Sequence, residues 1–399
     1  MSAINYKHDM KIMRREGDFI HINKWLIPLS WIYGLVVWWR NQLFEMGVLK
    51  QHSFSIPIIS VGNITVGGSG KTPHVEYLVN LLKDKVQVAV LSRGYKRKSK
   101  GYVLADETTS ITDIGDEPFQ IKHKFPNIYV AVDKMRARGI NRLTTDDATN
   151  NVDVILLDDA YQHRYVRTGI NILLVDYHRL IIYDKLLPAG RLREPLSGKN
   201  RADIVIITKC PKDLTPLEFR ILTKTMNLYA YQELFFTTLN YGNLQPIFDG
   251  EPKQLDVIRD FHVLLLTGIA FPQQLEEDLK PFGAHLSTMM FGDHHWFTPK
   301  DIERINCRFD EMPEPKIIIT TEKDAARLYN IEGLSDAVRQ NIYSLPIGIR
   351  FMLDRTDDFN TKIISYVRKN SRDSILAKAK NDNKPEDGNH IGNRPRAIG

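Results

Sequence analysis

Cysteine is nearly absent. With Cys210 and Cys307 alone in 399 residues, a disulfide framework and a cysteine-rich zinc site are both excluded, and a reducing compartment is the expectation. A bilayer-crossing run is missing too: the apolar stretch Trp25 to Trp39 stops at fifteen residues, short of the ~20 that a spanning helix needs. No small-residue cleavage site follows it, and Asp9, Glu16 and Asp18 interrupt the basic residues before it, so the segment does not read as a signal peptide and is expected to be retained. Neither sign of charge dominates. The 54 Lys and Arg against 48 Asp and Glu leave +6, which suits an anionic partner and is too mild to prescribe nucleic acid, so no nucleic-acid partner is expected. No internal repeat at a fixed period is evident. A single small binding module is excluded by length, and disorder of the whole chain by 43% hydrophobic content.

The first feature present is the apolar stretch itself. It holds four of the five Trp and has cationic flanks at Lys24 and Arg40. Tryptophan at that density with basic neighbours suits headgroup depth, so a helix lying in a bilayer interface is expected, with packing on the protein's own core as the alternative. A single N-terminal anchor through the bilayer stays open.

Ser55 to Asn63 then reads as a buried strand, followed by Thr65-Val66-Gly67-Gly68-Ser69-Gly70-Lys71-Thr72-Pro73 and an apolar helical pattern through Leu82. Strand, glycine loop and helix are the context of a phosphate cradle. Loop amides and the helix N-terminus face phosphate oxygens, Lys71 neutralises the β and γ groups, and the Thr72 hydroxyl ligates Mg²⁺. Thr65 stands where the pattern G-x-x-x-x-G-K-[ST] has its first glycine. A second strand, Val86 to Leu91, runs into Ser92-Arg93-Gly94-Tyr95-Lys96-Arg97-Lys98-Ser99-Lys100, five cations in eight residues from Arg93. At the C-terminal end of a parallel strand such a loop suits a phosphate or a lipid headgroup, although basic runs are also ordinary solvated loops.

Val152 to Leu157 forms another apolar run closed by Asp158 and Asp159. A strand end with paired carboxylates fixes oxygen ligands for Mg²⁺ opposite the loop lysine, a helix cap being the alternative. Further strands at 170–176 and 202–209 bring the count to at least five, separated by helix-length intervals. The expected fold is α/β: a P-loop NTPase-like, doubly wound, mostly parallel sheet.

Taken together, VGNITVGGSGKTP, LSRGYKRKS, IGDEP, ILLDDAYQHR, LPAGRLREPL, RADIVIITK, TGIAFP, FGDHHWFT and TTEKDAARL resemble the tetraacyldisaccharide 4′-kinase (lipid A 4′-kinase) family, from about residue 25 to about 350. The resemblance implies ATP-dependent phosphorylation of the 4′-hydroxyl of tetraacyldisaccharide 1-phosphate, giving lipid IVA, at the cytoplasmic face of the bacterial inner membrane. By the same resemblance Gly68, Ser69, Gly70, Lys71 and Thr72 match the ATP loop. Asp116 matches the acidic residue beside the acceptor hydroxyl, and His294 the histidine that assists it, with His295 as the other candidate. Asp158 and Asp159 match the pair in the Mg²⁺ region. Arg191 matches a position on the transferring phosphate, and Glu194 a second metal ligand. Arg93, Tyr95, Gln162 and His163 fall where the acceptor disaccharide is held. An Asp–His pair spanning two domains would form only on closure. Without the resemblance, Asp116 reads as a loop carboxylate before Pro118 and the histidines as a polar turn.

After Thr237 the pattern restarts, with strands at 261–270 and 316–321 and helices from Pro272 and from Glu322. A smaller second α/β domain is the simplest reading. The expected divisions are an N-terminal segment 1–50, a kinase core 51–236, a smaller domain 237–368, and a disordered tail 369–399 with few apolar residues. Two other functions share these features: a nucleotide-driven switch or chaperone-type NTPase at the membrane surface, and a peripheral membrane protein with a vestigial nucleotide site.

Overall fold

The computed structural model describes residues 20, 22–269, 272–282, 285–293, 295–329 and 331–382. A helix α1 (Ile27–Glu45) comes first. Strand β1 (Ile58–Gly62) leads through the glycine loop to α2 (Lys71–Leu82). Next come β2 (Val88–Ser92), the two-residue β3 (Val103–Leu104), α3 (Asp116–Lys124), β4 (Tyr129–Val132), α4 (Arg136–Thr145) and β5 (Val154–Asp158). Strands β6 (Ile170–Asp176), β7 (Ile204–Thr208) and β8 (Glu233–Tyr241) complete the first pass. The second lobe adds β9 (Gln245–Pro246), β10 (His262–Thr267), β11 (His285–Met290), α5 (Pro299–Asp310), β12 (Lys316–Thr321), α6 (Glu322–Leu328) and β13 (Ile342–Leu345). The chain then returns through β14 (Ile347–Phe351) and α7 (Thr356–Asp382).

Nine strands make the first sheet, in the order β14-β8-β7-β6-β1-β5-β2-β4-β3. From β8 to β4 all neighbours are parallel, and the edges β14 and β3 are antiparallel. Strand β1 lies between β5 and β6: the chain lays β2 to β5 on one side of it and then crosses to place β6, β7 and β8 on the other. This is the switch point at which open α/β sheets bind ligands. The strands are β-branched and fully buried at Ile59, Val61, Val88, Val90, Ile172 and Ile204, as a parallel sheet covered on both faces requires. Against one face pack Val75, Leu78, Val79 and Leu82 of α2 with Phe359, Ile363 and Val367 of α7. The second sheet, β11-β10-β12-β13-β9, is parallel apart from β9.

The lobe boundary differs from the sequence expectation in two ways. Residues 233–241 form one strand, so a division at 236/237 cuts through β8: Thr237 and Thr238 are buried and pair with Phe351 and Arg350. The chain also recrosses after Leu345, and β14 and α7 belong to the first lobe. The two crossings run side by side, the Gly242 amide donating to the Pro346 carbonyl at 2.9 Å. The expected tail from residue 369 begins as helix as far as Asp382, because Phe359, Ile363 and Val367, one turn apart, anchor the helix to the core. The expectation for 383–399 lies outside the described residues.

Helix α1 docks by a narrow face of small residues. Ser30 and Gly34 are its buried members beside Phe44. The Ser30 hydroxyl donates to the Leu186 carbonyl (2.9 Å) and accepts from the Ala189 amide (3.0 Å), while the Tyr33 hydroxyl donates to the Arg193 carbonyl (2.7 Å). Its large side chains face outward: Trp25 is 93% and Trp31 72% exposed, with Leu29, Ile32, Leu35, Val36, Trp38 and Trp39 also exposed. Among the described residues no helix is long and apolar enough to cross a membrane.

Candidate nucleotide and acceptor site

The glycine loop takes its shape from residues on four strands. Gly67 and Gly70 have φ of +124° and +79°, conformations that favour glycine. Buried Asn63 donates through its amide to Ser69 Oγ (2.9 Å) and Thr65 Oγ1 (3.3 Å), tying the two ends of the loop together. From β7 the Thr208 hydroxyl donates to the Ser69 carbonyl (3.0 Å). Lys209, just beyond, donates to the Gly68 carbonyl (2.5 Å) and to Asp176 at the end of β6 (2.7 Å). Gly70 caps α2, so Lys71 and Thr72 open the helix, and its free first-turn amides face the loop. His74 lies between Gly70 O (2.7 Å to Nδ1) and Thr237 Oγ1 (3.1 Å to Nε2). Burial pushes its pKa down to about 4, so the ring is neutral at ordinary pH: one nitrogen donates and the other accepts.

The segment after Pro188 pairs with the entry to this loop. The Val66 amide donates to the Arg191 carbonyl and the Arg193 amide to the Ile64 carbonyl, both at 2.8 Å. The Arg191 amide is in turn held by Asp184 Oδ1 (3.0 Å). Arg193 reaches the carboxylate pair, its Nη1 3.7 Å from Asp159 Oδ2, while Lys71 Nζ lies 3.6 Å from Asp159 Oδ1. The lysine of the glycine loop and the acidic end of β5 therefore meet in one place. Asp158 is buried, accepting from Ser92 Oγ at 3.3 Å, with Arg136 Nη2 on its backbone carbonyl at 3.3 Å. Its Oδ1 is buried with no hydrogen-bond partner. Burial, with the Asp159 and Glu117 carboxylates nearby, pushes its pKa up to about 6. An orphaned buried carboxylate oxygen beside a second carboxylate suits a hard divalent cation, with Asp158, Asp159 and Thr72 as the oxygen donors.

Glu194, expected as a second metal ligand, is committed elsewhere: Arg201 Nη2 lies 2.9 Å from both of its carboxylate oxygens, and the pair is largely buried. Among the described residues no group of three His, Cys, Asp or Glu side chains forms a metal site.

On the acceptor side, the loop after β2 is packed on the turn that precedes α3. A Cβ on Gly115 would lie 2.8 Å from the Tyr95 carbonyl, and one on Gly94 2.9 Å from the Ile114 carbonyl. The backbone of the β2 loop thus touches the turn before Asp116, which opens α3, and the side chains of Arg93 and Tyr95 are exposed. Asp116 is buried, and Arg327 of the second lobe donates to its Oδ2. The Gln162 carbonyl accepts from Arg40 of α1 at 3.5 Å. His163 is held neutral, its pKa down to about 4, chiefly by burial and then by the charges of Arg136, Arg40 and Arg93. Charges from α1, the β2 loop and α4 thus act together on one imidazole.

His295 Nε2 bonds Asp301 Oδ2 (2.9 Å), and the ring stacks on Phe291 with centroids 4.7 Å apart. Asp301 also caps α5 through Thr298, and these bonds hold its pKa down to about 2. The partner assigned to Asp116, His294, lies outside the described residues. Sequence reasoning missed Lys209, Arg193, Arg136, Arg40 and Arg327. Lys209 follows the carboxyl end of a parallel strand and Arg136 lies shortly after another, so the rule that ligands gather there was the available signal. Arg40 was read only as a flank of the apolar stretch, and Arg327 stood in TTEKDAARL, a segment that carried the resemblance but was given no role.

The Tetraacyldisaccharide-1-P 4′-kinase family model matches residues 22–368. A tetraacyldisaccharide 4′-kinase of Phocaeicola vulgatus is 57% identical over 362 residues, 90% of this chain and 99% of that protein. One of Bacteroides thetaiotaomicron is 50% identical over 376 residues, 92% of this chain and 99% of that protein. In three dimensions the chain is similar to the crystal structure of LpxK from Aquifex aeolicus in complex with ATP, with a TM-score of 0.67, 31% identity, and coverage of 86% of this chain and 98% of that one. The chain belongs to the tetraacyldisaccharide-1-P 4′-kinase family.

Proposed function

We propose that this kinase moves the γ-phosphoryl group of ATP to the 4′-hydroxyl of tetraacyldisaccharide 1-phosphate, with Asp116 accepting the hydroxyl proton at a bilayer surface. The observation that carries the nucleotide half is the Lys71–Asp159 approach of 3.6 Å beneath the glycine loop. The similar A. aeolicus structure holds ATP. In this reading the amides of Gly67, Gly68, Gly70, Lys71 and Thr72 bind the β and γ phosphates, and Lys71 and Arg191 hold the charge that develops on the transferring group. Mg²⁺, when bound by Asp158, Asp159 and Thr72, supplies Lewis-acid neutralisation of the phosphate oxygens. The acceptor oxygen forms its bond to phosphorus as the bridging oxygen leaves with ADP, and the hydroxyl proton passes to Asp116. Positioning and charge stabilisation supply most of the rate.

Arg93, Tyr95, Gln162 and His163 are assigned to the acylated disaccharide, with His294 or His295 assisting Asp116. The outward tryptophans of α1, with Lys24 at one end and Arg40 toward the other, support a helix lying in the interface of the bacterial inner membrane at its cytoplasmic face. A lipid acceptor then reaches the site from the bilayer edge. Incubation with γ-labelled ATP, with and without tetraacyldisaccharide 1-phosphate, tests the whole reading. Label on the lipid supports it, whereas acceptor-independent release of phosphate favours an NTPase switch. Near-normal turnover of Asp116→Ala would remove Asp116 from the proton-accepting role.

A further inference from the structure

Asp116 belongs to the first lobe, yet a buried arginine of the second lobe holds it. Arg327 and Asp324 lie on α6, both buried. Arg327 Nη1 donates to Asp324 Oδ1 at 2.9 Å, and Nη2 donates to Asp116 Oδ2. The other oxygen of Asp324 accepts from the Thr321 hydroxyl (2.8 Å) and from the Gly268 amide (2.9 Å). The Gly268 turn in turn packs on the histidine loop: a Cβ there would lie 3.6 Å from the Cβ of His295. One guanidinium therefore joins the carboxylate assigned to the proton to an anchor that also fixes the loop bearing His295.

Two further ion pairs join α3 to α6, Lys323–Glu117 at 2.5 Å and Lys124–Glu322 at 2.7 Å. They are partly exposed and contribute little to geometry. The Arg327 pair is buried, and burial makes its geometry exacting: a guanidinium taken out of water must find both carboxylates. A planar fork that spans two acids fixes their mutual orientation, which a lysine point charge does not.

We propose that Arg327 is a positioning residue for phosphoryl transfer: it aims the Asp116 carboxylate by referring it to Asp324, so that proton acceptance depends on how the second lobe is docked. The inference rests on the reading of Asp116 as proton acceptor. Arg327 touches neither nucleotide nor sugar in this account, so its loss acts on turnover and spares ATP affinity.

The test is steady-state transfer to tetraacyldisaccharide 1-phosphate by the full chain carrying Arg327→Met, Arg327→Lys, Asp116→Asn, or Asp116→Asn with Arg327→Met. Arg327→Met should lower kcat by about 100-fold while KM for ATP stays within about threefold, and Arg327→Lys should recover about tenfold of the loss. In the Asp116→Asn background, Arg327→Met should change kcat by less than about threefold, because two groups acting as a unit are not additive. A kcat for Arg327→Met within threefold of the parent, or full additivity with Asp116→Asn, overturns the proposal. If Arg327→Met fails to fold, Arg327→Lys decides: an unchanged kcat refutes the proposal, and a fall in kcat at constant KM for ATP supports it. Full turnover by Asp116→Asn would instead overturn the proton-acceptor reading itself, a separate outcome.

Discussion

Lys71 Nζ lies 3.6 Å from Asp159 Oδ1, and Arg193 Nη1 lies 3.7 Å from the other oxygen of the same carboxylate. One exposed aspartate thus holds two cations at the mouth of the glycine loop. Bound phosphates compete with Asp159 for both.

Lys71→Ala should therefore lose transfer while keeping the fold. Removal of one transition-state charge contact costs about 3–4 kcal/mol, or 10²–10³-fold in kcat. Lys71 pairs with the exposed Asp159 at 3.6 Å, a contact that contributes little to stability, so the melting temperature should move little. Label transfer and a thermal melt on the same preparation check both halves.

Asp158 makes stability respond to Mg²⁺ in a pH-dependent way. Its pKa in the fold, about 6, lies above the ordinary aspartate value of 3.8, so the native state binds the proton more tightly than the unfolded chain. That contribution to stability is complete below about pH 4 and is lost as pH rises through 6. In EDTA, the melting temperature of the parent relative to that of Asp158→Asn should fall across this window, and added Mg²⁺ should raise the parent's more at pH 8 than at pH 5. Asp158→Asn should lose the Mg²⁺ response and abolish transfer. A difference between the two melting temperatures in EDTA that is constant from pH 4 to 7 would contradict the buried-acid account.

His74 works in the opposite direction. Burial lowers its pKa to about 4 from 6.5, so the unfolded chain binds the proton more tightly. Its contribution is present above pH 6.5 and lost as pH falls toward 4. His74→Phe removes this slope, frees the Gly70 carbonyl and Thr237 hydroxyl, and should cost about 1–3 kcal/mol of stability. Because those bonds brace the glycine loop, KM for ATP should rise. Denaturant melts at several pH values and an ATP titration test both effects.

Glu194 separates an ion pair from a metal ligand. Glu194→Gln should destabilise the fold by about 3–5 kcal/mol by leaving Arg201 partly buried and unpaired, with the Mg²⁺ concentration for half-maximal activity unchanged. A large shift in that concentration at unchanged stability would return Glu194 to the metal site.

The exposed face of α1 should govern membrane association. Trp31→Glu with Trp38→Glu places two charges where apolar side chains now face outward, and should reduce co-sedimentation with anionic vesicles several-fold. These residues lie outside the docking face of Ser30 and Gly34, so the melting temperature should hold. Unaltered co-sedimentation would dissociate α1 from the bilayer.

Legibility followed locality. The cradle from Ile58 to Leu82 could be read because strand, glycine turn and helix are consecutive, and each leaves a local mark: β-branched burial, left-handed glycines, apolar spacing at one turn. The Asp158–Asp159 pair was readable for the same reason, being the end of an unmistakable strand. The second lobe's strands at 262–267 and 316–321 showed as apolar runs. The lobe boundary did not, because β8 contains Thr237 and Thr238, polar residues buried only once β14 returns from more than a hundred positions away. The start of α7 was hidden by composition, since a single apolar stripe suffices to anchor a helix that is otherwise polar.

The sequence by itself determined the strand, glycine loop and helix from Ile58 to Leu82, the strand ends that carry acids, and the apolar load of the first helix, because these depend on backbone preferences and spacing within a few turns of chain. Tertiary structure alone decided that Glu194 pairs with Arg201, that Lys209 braces the loop at Gly68, and that Asp116 is held by Arg327 from the other lobe. Those are choices among many possible partners for a charge, and a charge selects its partner by distance and burial, which no stretch of sequence encodes until the chain has closed on itself.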